Sequence, residues 1–185
     1  KALFGYGFKD SAPNYLSMTN LVSNTGVVAT DTTGVGSARE QPAAAGYGTD
    51  KAIFGYGFTS TSVTAITNLV SNTGVVANDT AGVGGTKFGL AAAGYGTDKA
   101  IFGYGLDAGY TMTSTTNLVS NTGVVATDTA GVGTARGRLA AAGYGTDKAI
   151  FGYGLTSVNV SMTNLVSNTG VVSIDTTGVG TARQY

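Results

Sequence analysis

The chain has 185 residues, with 10 basic and 10 acidic side chains and a formal net charge of zero; only 11% of residues are charged. A surface this sparsely charged lacks the basic stripe that displaces counterions from phosphate, which argues against a nucleic-acid partner. With no Cys and no His, disulfides, thiolate metal sites and nucleophilic or acid–base catalysis by either residue are excluded.

The chain opens on the phrase KALFGYG (Lys1 to Gly7), which returns as KAIFGYG at Lys51, Lys99 and Lys148, spacings of 50, 48 and 49 residues. Such self-similarity means tandem units, bounded at 1-50, 51-98, 99-147 and 148-185. Each copy of the phrase is an apolar run predicted as a strand. After it comes a stretch that differs between copies: FKDSAPNYLSM (Phe8 to Met18), FTSTSVTAI, LDAGYTMTST and LTSVNVSM. These are predicted loops, and loops on a rigid scaffold are where binding concentrates. Asn14, Tyr15, Asp107 and Tyr110 are therefore the candidate contacts.

The next predicted strand is TNLVSN, within a phrase that begins at Asn20, Asn68, Asn117 and Asn164. An Asn-Thr-Gly turn follows, with Gly supplying positive φ. A fourth strand rich in Val and Thr comes next, VVSIDT (Val171 to Thr176) in the last copy. A Gly-rich loop then leads to a cation at Arg39, Lys87, Arg136 and Arg183. These four are read as donors linking one unit to the next. Beyond the cation, AAAGYGTD begins at Ala43, Ala91 and Ala140. Its run of small residues and the KAIFGYG run make a hairpin across a tight turn at Thr146 and Asp147 in the last copy.

Four short strands per unit of about 49 residues is the arithmetic of a propeller blade, and Gly-broken segments without a 3.6-residue period speak against helical repeats. The expected fold is all-β, a β-propeller of about four four-stranded blades, alone or as part of a larger ring. The first copy lacks its opening Ala-rich strand, so fifteen strands are expected rather than sixteen. The Ala-rich strands, being narrow, are placed nearest the axis. Ile150, Phe151, Leu165 and Val166 are placed in the layers between blades. A β-solenoid, with shorter coils, is the structural alternative.

The recurring Tyr56, Tyr104 and Tyr153, with Tyr6, are read as packing residues with satisfied hydroxyls; stacking on sugars is the alternative. Asp recurs in register, and like environments do not make a catalytic pair of unlike carboxyls. Turn and cap roles are therefore expected, with ion binding as the alternative. No phosphate-binding loop spacing is present. No cofactor and no metal site is expected. No apolar run approaches the ~20 residues that span a membrane, so no membrane insertion is expected.

The order of cation, apolar strand, turn, aliphatic-aromatic strand ending in Gly-Tyr-Gly, then N-x-V-x-N-T-G before a fourth strand, resembles the kelch-type repeat over the whole chain. It departs from kelch in carrying Gly-Tyr-Gly for the double Gly and Val where the fourth strand usually has Trp. The copper chemistry known on some kelch-like propellers needs His ligands, which this chain lacks. The wording TNLVSNTGVVATDTTGVGTAR with LAAAGYGTDKAIFGYG is similar to repeats in predicted virion structural or tail-fibre proteins of tailed phages from aquatic bacteria. That resemblance implies a non-enzymatic virion or extracellular component, part of a larger assembly. Its partners would be other virion proteins or a host surface glycan or receptor. A soluble lectin-like propeller that binds glycans at repeated sites is the alternative.

Overall fold

The computed structural model describes all 185 residues, Lys1–Tyr185, as eleven β-strands with no helix. β1 (Ala2–Phe8) and β2 (Tyr15–Val22) form a two-stranded antiparallel sheet. Three three-stranded antiparallel sheets follow. They are β3 (Ala43–Tyr47), β4 (Lys51–Gly55) and β5 (Thr67–Val70); β6 (Ala91–Tyr95), β7 (Lys99–Gly103) and β8 (Thr116–Val119); and β9 (Ala140–Tyr144), β10 (Lys148–Gly152) and β11 (Thr163–Val166). The KAIFG strand is central in each.

The predicted hairpin is present three times. Tyr47 pairs with Lys51, Tyr95 with Lys99 and Tyr144 with Lys148. In the first of these turns Gly48 and Thr49 both take left-handed backbone, at φ +57° and +68°. Thr is strained there, since a left-handed L-residue costs about 1–2 kcal/mol.

The expected fourth strand is not one. It is reduced to two isolated bridges per unit, such as Val70↔Val76 and Thr67↔Thr80 in the second sheet. Between them one side advances three residues and the other four, which is a β-bulge. The cause is a side chain: Asn68 Nδ2 donates to Ala77 O (3.0 Å) and to Asp79 Oδ1 (2.9 Å). An amide side chain thus takes the carbonyl that a strand would have paired through the backbone. The same substitution recurs at Asn20, Asn117 and Asn164. The blades expected to be four-stranded therefore have two or three strands.

The four sheets lie in an open row. β3 packs on β6 and β6 on β9, through small residues that let backbones approach: a Cβ on Gly94 would sit 3.4 Å from Gly46 O. Ala43, Ala45, Ala91 and Ala93 are buried between these strands, whereas most of β9, last in the row, is exposed. The layers between sheets hold Ile53, Phe102, Phe151 and Val166, all fully buried. Of the layer residues expected in the last unit, Phe151 and Val166 are inside and Ile150 is half-buried. Leu165 is 41% exposed, because no further sheet covers it. Each interface repeats one aromatic contact: Tyr6 on Phe54, Tyr56 on Phe102 and Tyr104 on Phe151, edge-on at 5.1, 5.2 and 5.1 Å. Burying such a Phe contributes about 1.5–3 kcal/mol, and the edge-on ring pair about 0.5–1.5 kcal/mol more.

Candidate functional site

The variable stretches fold into tight loops whose polar side chains serve the loops themselves. Asn14 Nδ2 donates to Lys9 O (3.0 Å), closing the first loop. Asp107 Oδ1 accepts from the N–H groups of Gly109 (2.8 Å) and Thr111 (2.9 Å). That turn holds Tyr110 at φ +60° with 65% of its surface exposed. Of the four candidate contacts, the structure brings two together. Tyr15 and Tyr110 are the second and last rings of a continuous run across three units. Phe8 meets Tyr15 at 5.4 Å, Tyr15 meets Phe58 at 6.2 Å, Phe58 meets Phe88 at 6.0 Å, and Phe88 meets Tyr110 edge-on at 5.3 Å. Phe8 is half exposed and Phe88 is buried. Phe8, Phe58 and Phe88 were not singled out from sequence. The signal was present in the register: Phe88 stands where the other units have Glu40, Gly137 and Gln184.

A second feature lies at the hairpin turns. Tyr47, Thr49 and Lys51 line a depression of about 540 Å³ together with their counterparts from the next two units. The turns are laced by Gly48 N–H to Asp98 O (2.6 Å) and Gly96 N–H to Asp147 O (2.7 Å). Each lysine pairs with the preceding aspartate: Lys51–Asp50 at 3.0 Å, Lys99–Asp98 at 2.9 Å and Lys148–Asp147 at 2.8 Å. The depression is therefore polar and close to neutral. Bonds from these lysines hold the three carboxyls below their ordinary pKa. Thr49, Thr97 and Thr146 stay left-handed on its wall, at φ +68°, +69° and +72°.

The repeated cations lie deep in the interfaces. Arg39 and Arg136 are completely buried and Lys87 nearly so. Arg39 donates through Nε to Tyr56 O (2.8 Å), through Nη1 to Ser37 O (3.1 Å) and through Nη2 to Asn68 Oδ1 (2.7 Å), and stacks 4.0 Å from the Tyr6 ring centroid. Lys87, a point charge rather than a fork, donates to Asn117 Oδ1 (2.6 Å) and lies 3.5 Å from Asp128. Arg183 is exposed; it donates to Thr181 O and lies 3.6 Å from the Tyr153 ring centroid. Tyr56, Tyr104 and Tyr153 are left-handed, and their hydroxyls donate to Val83, Val132 and Val179 carbonyls. Burial pushes the Tyr56 and Tyr104 phenols up. The Gly after each Tyr is obligatory: Gly57 has φ +107°, and a Cβ there would sit 2.7 Å from Glu40 O.

Asp79, Asp128 and Asp175 receive these networks. Burial alone would raise their pKa. Hydrogen bonds from Ser37, Gly85 and Thr134, from Asn68, Asn117 and Asn164, and the nearby cations more than cancel it, and all three carboxyls are held below the ordinary aspartate range. A carboxyl depressed in the folded state stabilises it above the unfolded pKa of about 3.9, and that stability is lost as pH falls through the folded value. The unfolding midpoint in denaturant should thus be flat above about pH 5 and fall below about pH 4. Asp128→Asn should start lower and fall less steeply. A wild-type midpoint unchanged down to about pH 2 would contradict this assignment.

No family model matches the chain, and no curated protein matches it.

Proposed function

We propose that this chain is a non-enzymatic structural and attachment protein, a stack of kelch-like blades that displays its variable loops to a surface glycan or receptor. The observation that carries the reading is the aromatic run from Phe8 to Tyr110. It runs through the variable stretches of three units, ends at both sides in exposed rings, and is flanked by loops that hydrogen-bond to themselves. Aromatic faces stack on the apolar faces of sugars and anchor protein partners. The buried cations and aspartates are committed to joining units, which leaves the loop edge as the variable surface. The resemblance of the repeat wording to phage virion repeats supplies the setting, a virion or other extracellular surface within a larger assembly.

A second reading has its own support. The depression at the turns is lined by register-equivalent Tyr, Thr and Lys from three units, which suits a lectin-like protein that takes a neutral, repetitive glycan.

Binding to a glycan array and to bacterial surface polysaccharide distinguishes the two. On the first reading Tyr110→Ser and Phe8→Ser each weaken binding about two- to tenfold, the worth of one aromatic contact, while Lys99→Ala leaves it unchanged. The reverse pattern transfers the function to the depression. No binding by the wild type to either probe removes both readings.

A further inference from the structure

The interface between the second and third units departs from the other two at two positions of one network, and both departures change its chemistry. At the first and third interfaces the cation is an arginine, and a side-chain hydroxyl holds the aspartate that faces it. Ser37 Oγ donates to Asp79 Oδ2 at 2.7 Å, and Thr134 Oγ1 donates to Asp175 Oδ2 at 2.6 Å. At the middle interface Lys87 stands in place of the arginine and Gly85 in place of the hydroxyl residue. Asp128 therefore keeps only the Gly85 N–H at that position, at 2.8 Å. The asparagine between cation and aspartate is the same in all three.

The result is an amine, a carboxamide and a carboxyl in mutual contact. Lys87 Nζ lies 2.6 Å from Asn117 Oδ1, Asn117 Nδ2 lies 2.8 Å from Asp128 Oδ1, and that oxygen lies 3.5 Å from Lys87 Nζ. A C=O bond adds about 1.23 Å to the 2.6 Å contact, so Asn117 Cγ is no more than about 3.8 Å from the amine nitrogen. That is close to the ~3–3.5 Å of a near-attack arrangement. The Lys87 side chain is 2% exposed and Asn117 is fully buried, so water is kept from the carboxamide. Burial is the largest influence on Lys87 and lowers its pKa, which favours the neutral, nucleophilic amine. A guanidinium in the same place stays charged, so Arg39 and Arg136 hold the equivalent asparagines by hydrogen bonds alone.

We propose that Lys87 and Asn117 join in a covalent side-chain amide, an isopeptide bond that the folded chain forms by itself. A proton passes from Lys87 Nζ to the Asp128 carboxylate, and the freed lone pair attacks Asn117 Cγ. The new Nζ–Cγ bond forms and the Cγ–Nδ2 bond breaks as Asp128 delivers its proton to Nδ2, 2.8 Å away. Asp128 then takes the surplus proton from Nζ and passes it to the departing ammonia. Over the whole step an ammonium and a carboxamide become a secondary amide and one ammonium ion, and Asp128 begins and ends as the carboxylate. No oxidant or cofactor is consumed. The Asp128 side chain, 34% exposed, opens the way out for the ammonium. The chain has no Cys, and this amide ties the second unit to the third as a disulfide would. It stands whether or not the loop edge binds a glycan.

The test is the intact mass of the purified, folded protein, followed by mass spectrometry of its tryptic digest. The wild type should be lighter than its sequence mass by one ammonia. Its digest should show the fragment that contains Lys87, uncut after that residue, joined to the fragment that contains Asn117. Lys87→Arg installs the residue that the other two interfaces already hold against the same partners, so it should fold and return the full sequence mass. Asp128→Asn removes the proton carrier and should also keep the full mass, with circular dichroism reporting the fold. A wild type at its full sequence mass overturns the proposal. So does a loss of ammonia that persists in Lys87→Arg or in Asp128→Asn, or one found without joined fragments, which would place it at a cyclised asparagine backbone instead.

Discussion

Arg136→Met should lower stability by about 3–5 kcal/mol, the cost of removing one partner from a buried, hydrogen-bonded charge network. Arg136 is completely buried between the third and fourth sheets. Its guanidinium satisfies Tyr153 O (2.9 Å), Thr134 O (3.1 Å) and Asn164 Oδ1 (2.6 Å), and its Nη1 lies 3.8 Å from Asp175. Methionine keeps much of the length and apolar stem but none of the donors. Two carbonyls and an amide oxygen lose their side-chain donor, and Asp175 loses its cation. Each buried acceptor left bare costs about 1–3 kcal/mol. In a repeat array the loss falls on one interface, so amides of β10 should exchange faster before those of β4 do. Arg183→Met is the internal control. The same residue type at the same register, exposed, should cost under about 0.5 kcal/mol. Denaturant midpoints read both, and equal losses at the two positions would show that depth in the interface is not what the cation contributes.

The depth of these cations is the part that sequence could not supply. A cation at one register position four times says that it links units, but arginine is almost never fully buried unless paired. Its partner, Asn68 Oδ1 for Arg39, comes from 29 residues away. The hairpins were legible because a small-residue run and an apolar run separated by Gly-Thr-Asp leave few other pairings. The fourth strand was misread for a physical reason. VVATDT has strand composition, yet the pairing is decided by Asn117 Nδ2, which takes Ala126 O at 3.1 Å, and side-chain competition for a carbonyl leaves no mark on local propensity. Loop candidates were half legible. Tyr15 and Tyr110 stood out as aromatics in variable stretches, but the rings that connect them are Phe58, which opens the second variable stretch, and Phe88, which follows the cation Lys87 in the same unit.

The left-handed tyrosines join local strain to assembly. Tyr56 holds φ +65° and Tyr104 φ +63°, at a cost of about 1–2 kcal/mol each. What offsets it is the ring of the next unit's Phe, across the interface, and the unit's own cation over the Tyr face. A unit without a following neighbour keeps the strain and loses part of the compensation. Tyr153, at φ +62°, keeps its cation, with Arg183 3.6 Å from the ring centroid, but meets no Phe ring.

Phe102→Ala and Phe4→Ala should therefore differ by most of the worth of a buried aromatic, although both remove the same ring from the same position of the repeat. Phe102 is completely buried; its ring meets Tyr56 edge-on at 5.2 Å and fills the space over Gly55, where an added Cβ would lie 2.8 Å from it. Truncation there leaves a cavity that flanking strands cannot close, since the alanine-lined backbones are already in contact. The expected loss is about 3–5 kcal/mol. Phe4, at 62% exposed, should cost under about 0.5 kcal/mol in the single chain at micromolar concentration. Thermal unfolding of both variants measures this difference. Equal penalties at the two positions would show that burial against the neighbouring sheet is not what the ring contributes.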